Sequence, residues 1–177
     1  MHQSVFAWGY RTLGSRALTG KAILEVGSCN VNGSLRWIVE RKGPKVYLGI
    51  DIEEGPGVDL VMDASEIPRR FPEQWDLVIC TEMLEHASDW HAALLGIKSA
   101  PRVGGHLLLT TRGPGFPRHE FPDDYWRFTS ELLKGAFGGY NIEQLRDDPE
   151  APGVFIFARR EARNVDVPSR LGAEKVA

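Results

Sequence analysis

Five short runs of apolar, often β-branched residues recur along the first two-thirds of the chain, at 22–27, 46–51, 58–63, 75–80 and 106–111. Between them lie stretches whose apolar residues fall at helical spacing. Residues 33–42 place Leu35, Ile38 and Val39 on one face, and 88–100 do the same with Trp90, Ala93, Leu94 and Ile97 before Pro101 ends the pattern. Shorter helical stretches are expected at 65–71 and 129–137. The strand runs are nearly continuous in apolar character, which suits parallel strands covered on both faces. Two further strand patterns, 140–145 and 154–160, flank a turn rich in proline, glycine and acids, and read as an antiparallel hairpin. The chain therefore predicts a single α/β domain. Its sheet is doubly wound, seven-stranded and mostly parallel, with the antiparallel hairpin at its C-terminal end.

A chain of 177 residues holds about one domain at roughly 150 residues each. Residues 1–18, with Val5, Phe6, Trp8 and Leu13, predict a helical extension packed near the sheet edge. The domain proper is expected over 19–161, and the polar residues 162–177 as a frayed tail. Twenty-one basic against 24 acidic side chains leave a net charge of −3, so gripping a nucleic-acid backbone is not the expected business of this chain. Two cysteines make no disulfide framework. Five histidines without HxxxH or CxxC spacing predict no protein-built metal site. No run approaches the ~18 apolar residues of a membrane span, and a secretory leader pattern is missing, so a cytoplasmic location is expected. Monomer and homodimer leave no distinguishing mark in the sequence.

In a doubly wound sheet, ligands bind beyond the carboxyl ends of the strands, where strand order reverses. The first strand there runs into Glu25-Val-Gly27-Ser28-Cys29-Asn30-Val-Asn-Gly33. A dinucleotide fingerprint needs glycine at the positions held by Cys29 and Asn32, and a P-loop needs a Lys-Ser/Thr pair that is missing, so a pyrophosphate ligand is disfavoured. Three acids surround the same place: Glu25 in the first strand, Asp51 ending the second and Asp63 ending the third. Asp51 follows Gly27 at close to the ~20-residue offset of a carboxylate that binds ribose hydroxyls. Such a cleft suits a cationic nucleoside better than a phosphate. Each acid also has a plainer reading: Asp63 as the cap of the helix after it, Asp51 as a turn acid, Glu25 as a partner for Lys21 or Arg36.

Taken in order, Glu25 to Gly33, Gly49-Ile-Asp51, Met62-Asp63-Ala64, Asp76 to His86 and Arg102-Val-Gly104-Gly105 resemble a class I S-adenosylmethionine-dependent methyltransferase of the broad type 11 group, a Rossmann-like fold. The likeness runs from about residue 21 to 111, and only the first glycine of that family's glycine loop is kept. The resemblance implies S-adenosyl-L-methionine as cofactor. Glu25, Gly27, Ser28, Cys29, Asn30 and Gly33 would line its methionine end. Asp51 and Ile52 would meet the ribose, Met62, Asp63 and Ala64 the adenine, and Thr81 and Glu82 the methyl group.

The segment 112–129 follows the fifth strand on the ligand side and combines prolines, glycines, aromatics and charges. It reads as a substrate lid carrying His119, Asp123, Tyr125, Trp126 and Arg127, or as a rigid cover of the sheet edge. His119 and His86 are the candidate bases for a hydroxyl acceptor, and Glu82 or Glu120 for an amine. A small-molecule or sugar-like acceptor is expected. The other readings are a methyltransferase-like scaffold without catalysis and an NAD-binding oxidoreductase.

Overall fold

The computed structural model describes residues 2–119 and 123–176. Its main sheet has the order β3-β2-β1-β4-β5-β8-β7 among the described residues. The strands are β1 (Ala22–Val26), β2 (Val46–Asp51), β3 (Leu60–Val61), β4 (Trp75–Thr81), β5 (Pro101–Arg112), β7 (Tyr140–Asp147) and β8 (Gly153–Arg160). β1 pairs in parallel with both β2 and β4, and this is the point where strand order reverses. β8 runs antiparallel between β5 and β7. Seven strands, mostly parallel, with an antiparallel C-terminal hairpin, is the architecture expected from the pattern.

Successive side chains of a strand point to opposite faces, so each buried strand feeds two cores. Leu24 and Val26 of β1 join Val78 and Cys80 of β4 on one face. There they meet Leu94 and Ile97 of α4 (Trp90–Ser99) and Leu133 and Ala136 of α5 (Ser130–Ala136). Ile23, Leu77, Ile79, Leu108, Phe155 and Phe157 point the other way. That face is closed by α2 (Arg36–Glu40) and by α1 (Gln3–Gly14). Val5, Trp8 and Leu13 of α1 are buried among these residues, and Trp8 stacks on Phe155 at 5.0 Å. Trp8 also donates through Nε1 to Gln144 of the edge strand β7 at 3.0 Å, and Ser4 Oγ to Asp148 at 2.9 Å, so the helix packs at the β7–β8 side of the sheet, near the edge as expected, and joins the core beneath it.

Three element boundaries differ from the pattern. The third strand shrinks to two residues at the sheet edge. The Gly104-Gly105 pair is no turn into β5 but an irregularity inside it, where pairing jumps from Trp75↔Pro101 to Leu77↔His106. A side chain at 105 would sit 2.7 Å from the Trp75 carbonyl, so only glycine passes there. The segment after 161, expected to fray, returns over the helical face. Val165, Val167 and Leu171 pack on the core, and β9 (Glu174–Lys175) pairs antiparallel with β6 (Trp126–Arg127). Its polar composition hid the alternate apolar residues that hold it down.

Candidate active site

The carboxyl ends of β1, β2 and β4 open onto a cavity of about 580 Å³, within the ordinary size range of a small-ligand site. The turn that leaves β1 shapes one wall. Gly27 has φ +75°, and a side chain there would come within 2.5 Å of Met83 Cβ. Backbone conformation and packing both demand glycine at this position.

The two glycines missing from the loop are replaced from across the cleft. Gly49, Gly55 and Gly57 on the facing β2 and its loop leave room for Ser28 and Cys29. A side chain at 55 would reach Cys29 Sγ at 2.6 Å, and one at 57 the Ser28 carbonyl at 2.7 Å. The loop's amides are also spent internally. Gly27 and Ser28 both donate to Ile50 O at 3.0 Å, Asn30 to Pro56 O at 2.7 Å, and Gly33 to Asn30 Oδ1 at 2.9 Å. A pyrophosphate would need such amides turned toward it.

Asp51 ends β2 at the cleft. Its Oδ2 accepts from the Cys29 amide at 2.9 Å, while Oδ1 makes only a long 3.4 Å contact with the Glu53 amide. One oxygen anchors the loop and the other is available to a ligand. Asp63 does cap the turn after it, its Oδ1 accepting from Ser65 N at 2.7 Å. Its second oxygen remains on the cavity wall, so capping and ligand binding are compatible.

Glu25 is buried, and neither Lys21 nor Arg36 is its hydrogen-bond partner. Its carboxylate accepts from Ser34 Oγ at 2.9 Å and Tyr47 OH at 2.8 Å, whereas Lys21 pairs with Asp76 and Arg36 with Asp59 and Glu40. Burial pushes the Glu25 carboxyl up to about 7. Burial also raises Cys29, with Asp51 adding to it, and Cys80 well above the usual thiol range, which disfavours the thiolate form of both.

At the far end stand the residues of β4 and its following turn. Glu82 carries φ +54°, rare for a side chain with a Cβ, and such strain gathers at functional sites. Its carboxylate accepts from Thr110 Oγ1 at 3.0 Å and pairs with the fully buried Arg112, which also holds Asp148 at 3.1 Å. Thr110 and Arg112 thus hold the Glu82 carboxylate in place at the cleft. His86 and His119 face one another, ring centres 4.9 Å apart. His119 lies 3.1 Å from the Asp124 carboxylate through Nδ1, and its backbone amide donates to the same carboxylate at 2.8 Å. Burial lowers His119 below the usual imidazole value against the pull of Asp124.

The cavity wall includes Glu25, Gly27, Ser28, Cys29, Gly33, Asp51, Ile52, Met62, Asp63, Ala64, Thr81, Glu82, His86, His119, Asp123 and Tyr125. Three expected residues are elsewhere. Asn30 turns away and caps Gly33. Trp126 donates through Nε1 to the Ala87 carbonyl at 2.9 Å and anchors the segment to the body. Arg127 is buried and grips Asp124 with both terminal nitrogens, at 2.5 and 2.6 Å. It reaches the Phe116 and Pro117 carbonyls as well. Glu120 lies outside the described residues. The wall also holds His2, Glu53, Met83 and Asp89, which the sequence reading passed over. Met83 stands inside the motif that carries Glu82, but His2 has no local signal. Only the fold, by setting its ring 5.4 Å from Phe116, brings it there.

Residues 5–145 match a family described as a methyltransferase domain. The chain is a class I S-adenosylmethionine-dependent methyltransferase domain. The ubiquinone biosynthesis O-methyltransferase of Aeromonas salmonicida (strain A449) is 36% identical to the domain over 111 residues, 55% of this chain and 45% of that one. The chain thus spans about half the length of the curated relatives it matches. The 1,6-didemethyltoxoflavin-N1-methyltransferase of Burkholderia thailandensis, solved with S-adenosylhomocysteine bound, superimposes with a TM-score of 0.66 at 16% identity, covering 90% of this chain and 77% of its own. The [4+2]-cyclase SpnF superimposes on the methyltransferase domain with a TM-score of 0.67 at 15% identity, covering 89% and 81%. Among the described residues, no helix is long and apolar enough to cross a membrane.

Proposed function

We propose that this methyltransferase domain transfers the methyl group of S-adenosylmethionine to a hydroxyl of a small-molecule acceptor. The observation that carries the reading is the placement of Asp51, Asp63 and Gly27 around one cavity whose far end holds His86 and His119. The donor set fits the cofactor. Asp51 Oδ1 and the second Asp63 oxygen are acceptors for ribose hydroxyls and an exocyclic amine. Glu82 puts negative charge toward a cationic amino-acid end, and Glu25, buried beneath the loop, holds Ser34 and Tyr47 in place. When bound, the cofactor supplies an electrophilic methyl group and a leaving group that departs neutral.

The chain's own work is alignment, exclusion of water and removal of one proton. The acceptor oxygen forms its bond to the methyl carbon as the carbon–sulfur bond breaks and sulfur keeps that electron pair. The hydroxyl proton passes to His119, held beside Asp124 at 3.1 Å. Glu82, clamped by Arg112, holds charge beside the transfer. The Aeromonas relative supports oxygen as the acceptor atom, since its name is that of an O-methyltransferase.

Incubation with methyl-labelled S-adenosylmethionine and a panel of hydroxylated small molecules tests this. Labelled product is expected with the wild-type chain and a loss of at least tenfold with Asp51→Ala. Cofactor binding without transfer to any member would favour the scaffold reading.

A further inference from the structure

We propose that Glu85, His86 and His119 form a site for a divalent first-row transition-metal cation at the acceptor end of the cleft. No spacing in the sequence announces it, because His119 arrives from a different segment. One carboxylate oxygen of Glu85 and one nitrogen from each imidazole all lie within 4.8 Å of one another. A separate observation points to a missing ligand. Glu85 is completely buried, its Oε2 accepts from Thr111 Oγ1 at 2.8 Å, and its Oε1 has no partner among the described residues. A buried carboxylate oxygen left alone is costly.

The surroundings are those of ligating histidines. A metal-bound imidazole almost always gives its other N–H to a carbonyl or carboxylate. His86 Nδ1 contacts the Asp123 carbonyl. His119 Nδ1 lies 3.1 Å from the Asp124 carboxylate, itself fixed by Arg127, but is buried without a hydrogen bond among the described residues, a second orphaned atom in the cluster. Two imidazoles and one carboxylate select zinc, cobalt, manganese or ferrous iron over magnesium or calcium, which prefer all-oxygen sites. Three protein ligands leave coordination positions open, and His86 and His119 both line the cavity.

Binding of the cation stands independently; its role rests on the proposed methyl transfer. An acceptor hydroxyl that joins the cation becomes more acidic and loses its proton to solvent. Its oxygen then attacks the methyl carbon with the electron balance given above. With the cation present, His119 serves as ligand; without it, the same ring is the proton acceptor.

The test is titration of the untagged full chain with cobalt(II), followed by visible absorption, and with zinc(II) by equilibrium dialysis. S-adenosylhomocysteine binding is measured on the same preparation. One equivalent is expected, with a cobalt ligand-field spectrum, and at least tenfold weaker binding in His119→Ala and in His86→Ala, both checked for fold by circular dichroism. Glu85→Gln, which keeps the shape of the buried side chain, is expected to weaken binding as well. No stoichiometric binding, or binding that both histidine variants retain, overturns the site. Cobalt bound normally by a chain that ignores S-adenosylhomocysteine would instead overturn the proposed function and leave the cation site standing.

Discussion

At the scale of single residues, the cleft is held by a few atoms with two duties. Gly27 is both a left-handed turn and a point of contact with Met83. Gly27→Ala is expected to destabilise the domain by about 2–4 kcal/mol, from backbone strain plus overpacking, read as a lower urea midpoint at unchanged slope. Glu25 gives a prediction in pH. Its carboxyl is raised in the folded chain to about 7 from an ordinary 4.5, so between those values the folded state binds the proton that the unfolded state has lost. Stability from this group is therefore fully present below about pH 4.5 and is lost as pH rises through about 7. Urea titrations at steps across that window should show wild-type stability falling relative to Glu25→Gln, in which the slope from this site vanishes. The acids themselves were legible in the sequence, because strand ends and turns are local. What each carboxylate touches was not: Glu25 meets Tyr47 and Ser34, and no local rule selects those over Lys21 or Arg36.

At the scale of elements, the described residues from 112 to 129 divide into a part anchored on the body and a part held through it. Phe128 is buried, its amide donates to Arg112 O at 2.9 Å, and Tyr125 N donates to Glu85 O at 2.9 Å. Arg127 ties Asp124 to the Phe116 and Pro117 carbonyls. The stretch 116–119 is held through this pair, the His119 amide donating to Asp124 at 2.8 Å. Arg127→Ala would leave Asp124 a buried, unpaired charge, a loss of about 3–5 kcal/mol. The same change should speed amide exchange at 116–119, measured by hydrogen–deuterium exchange; unchanged exchange there would remove the clamp from the account. The aromatic and charged composition of this segment was visible in sequence, but not its division. Trp126 and Arg127 looked like ligand contacts because they are polar-tipped and adjacent to the cleft, whereas the fold spends both on anchoring.

At the scale of the whole molecule, α1 and residues 162–176 pack on opposite faces of the sheet. α1 lies against β8 and β7 on one face, and 162–176 lies on the other, where Lys98 donates to the Asp166 and Ala136 carbonyls and His91 contacts the Leu171 carbonyl at 3.0 Å. Ending the chain after Glu161 is expected to cost about 2–4 kcal/mol through exposed Val165, Val167 and Leu171, seen as a lower urea midpoint. The doubly wound class, the seven strands with their C-terminal hairpin and the cleft beyond the strand ends follow from local alternation and were readable. The end segments pair with residues far away in sequence, so periodicity carried no trace of β9 meeting β6, or of His119 meeting Glu85. Binding of an adenosyl ligand through Asp51 is the property on which the proposed function turns. Calorimetric titration with S-adenosylhomocysteine, with NAD as control, on wild type and Asp51→Ala measures it. One site for S-adenosylhomocysteine, affinity reduced at least tenfold in Asp51→Ala and no heat from NAD are expected. Absence of binding to the wild-type chain, or affinity that Asp51→Ala leaves intact, would overturn the proposed function.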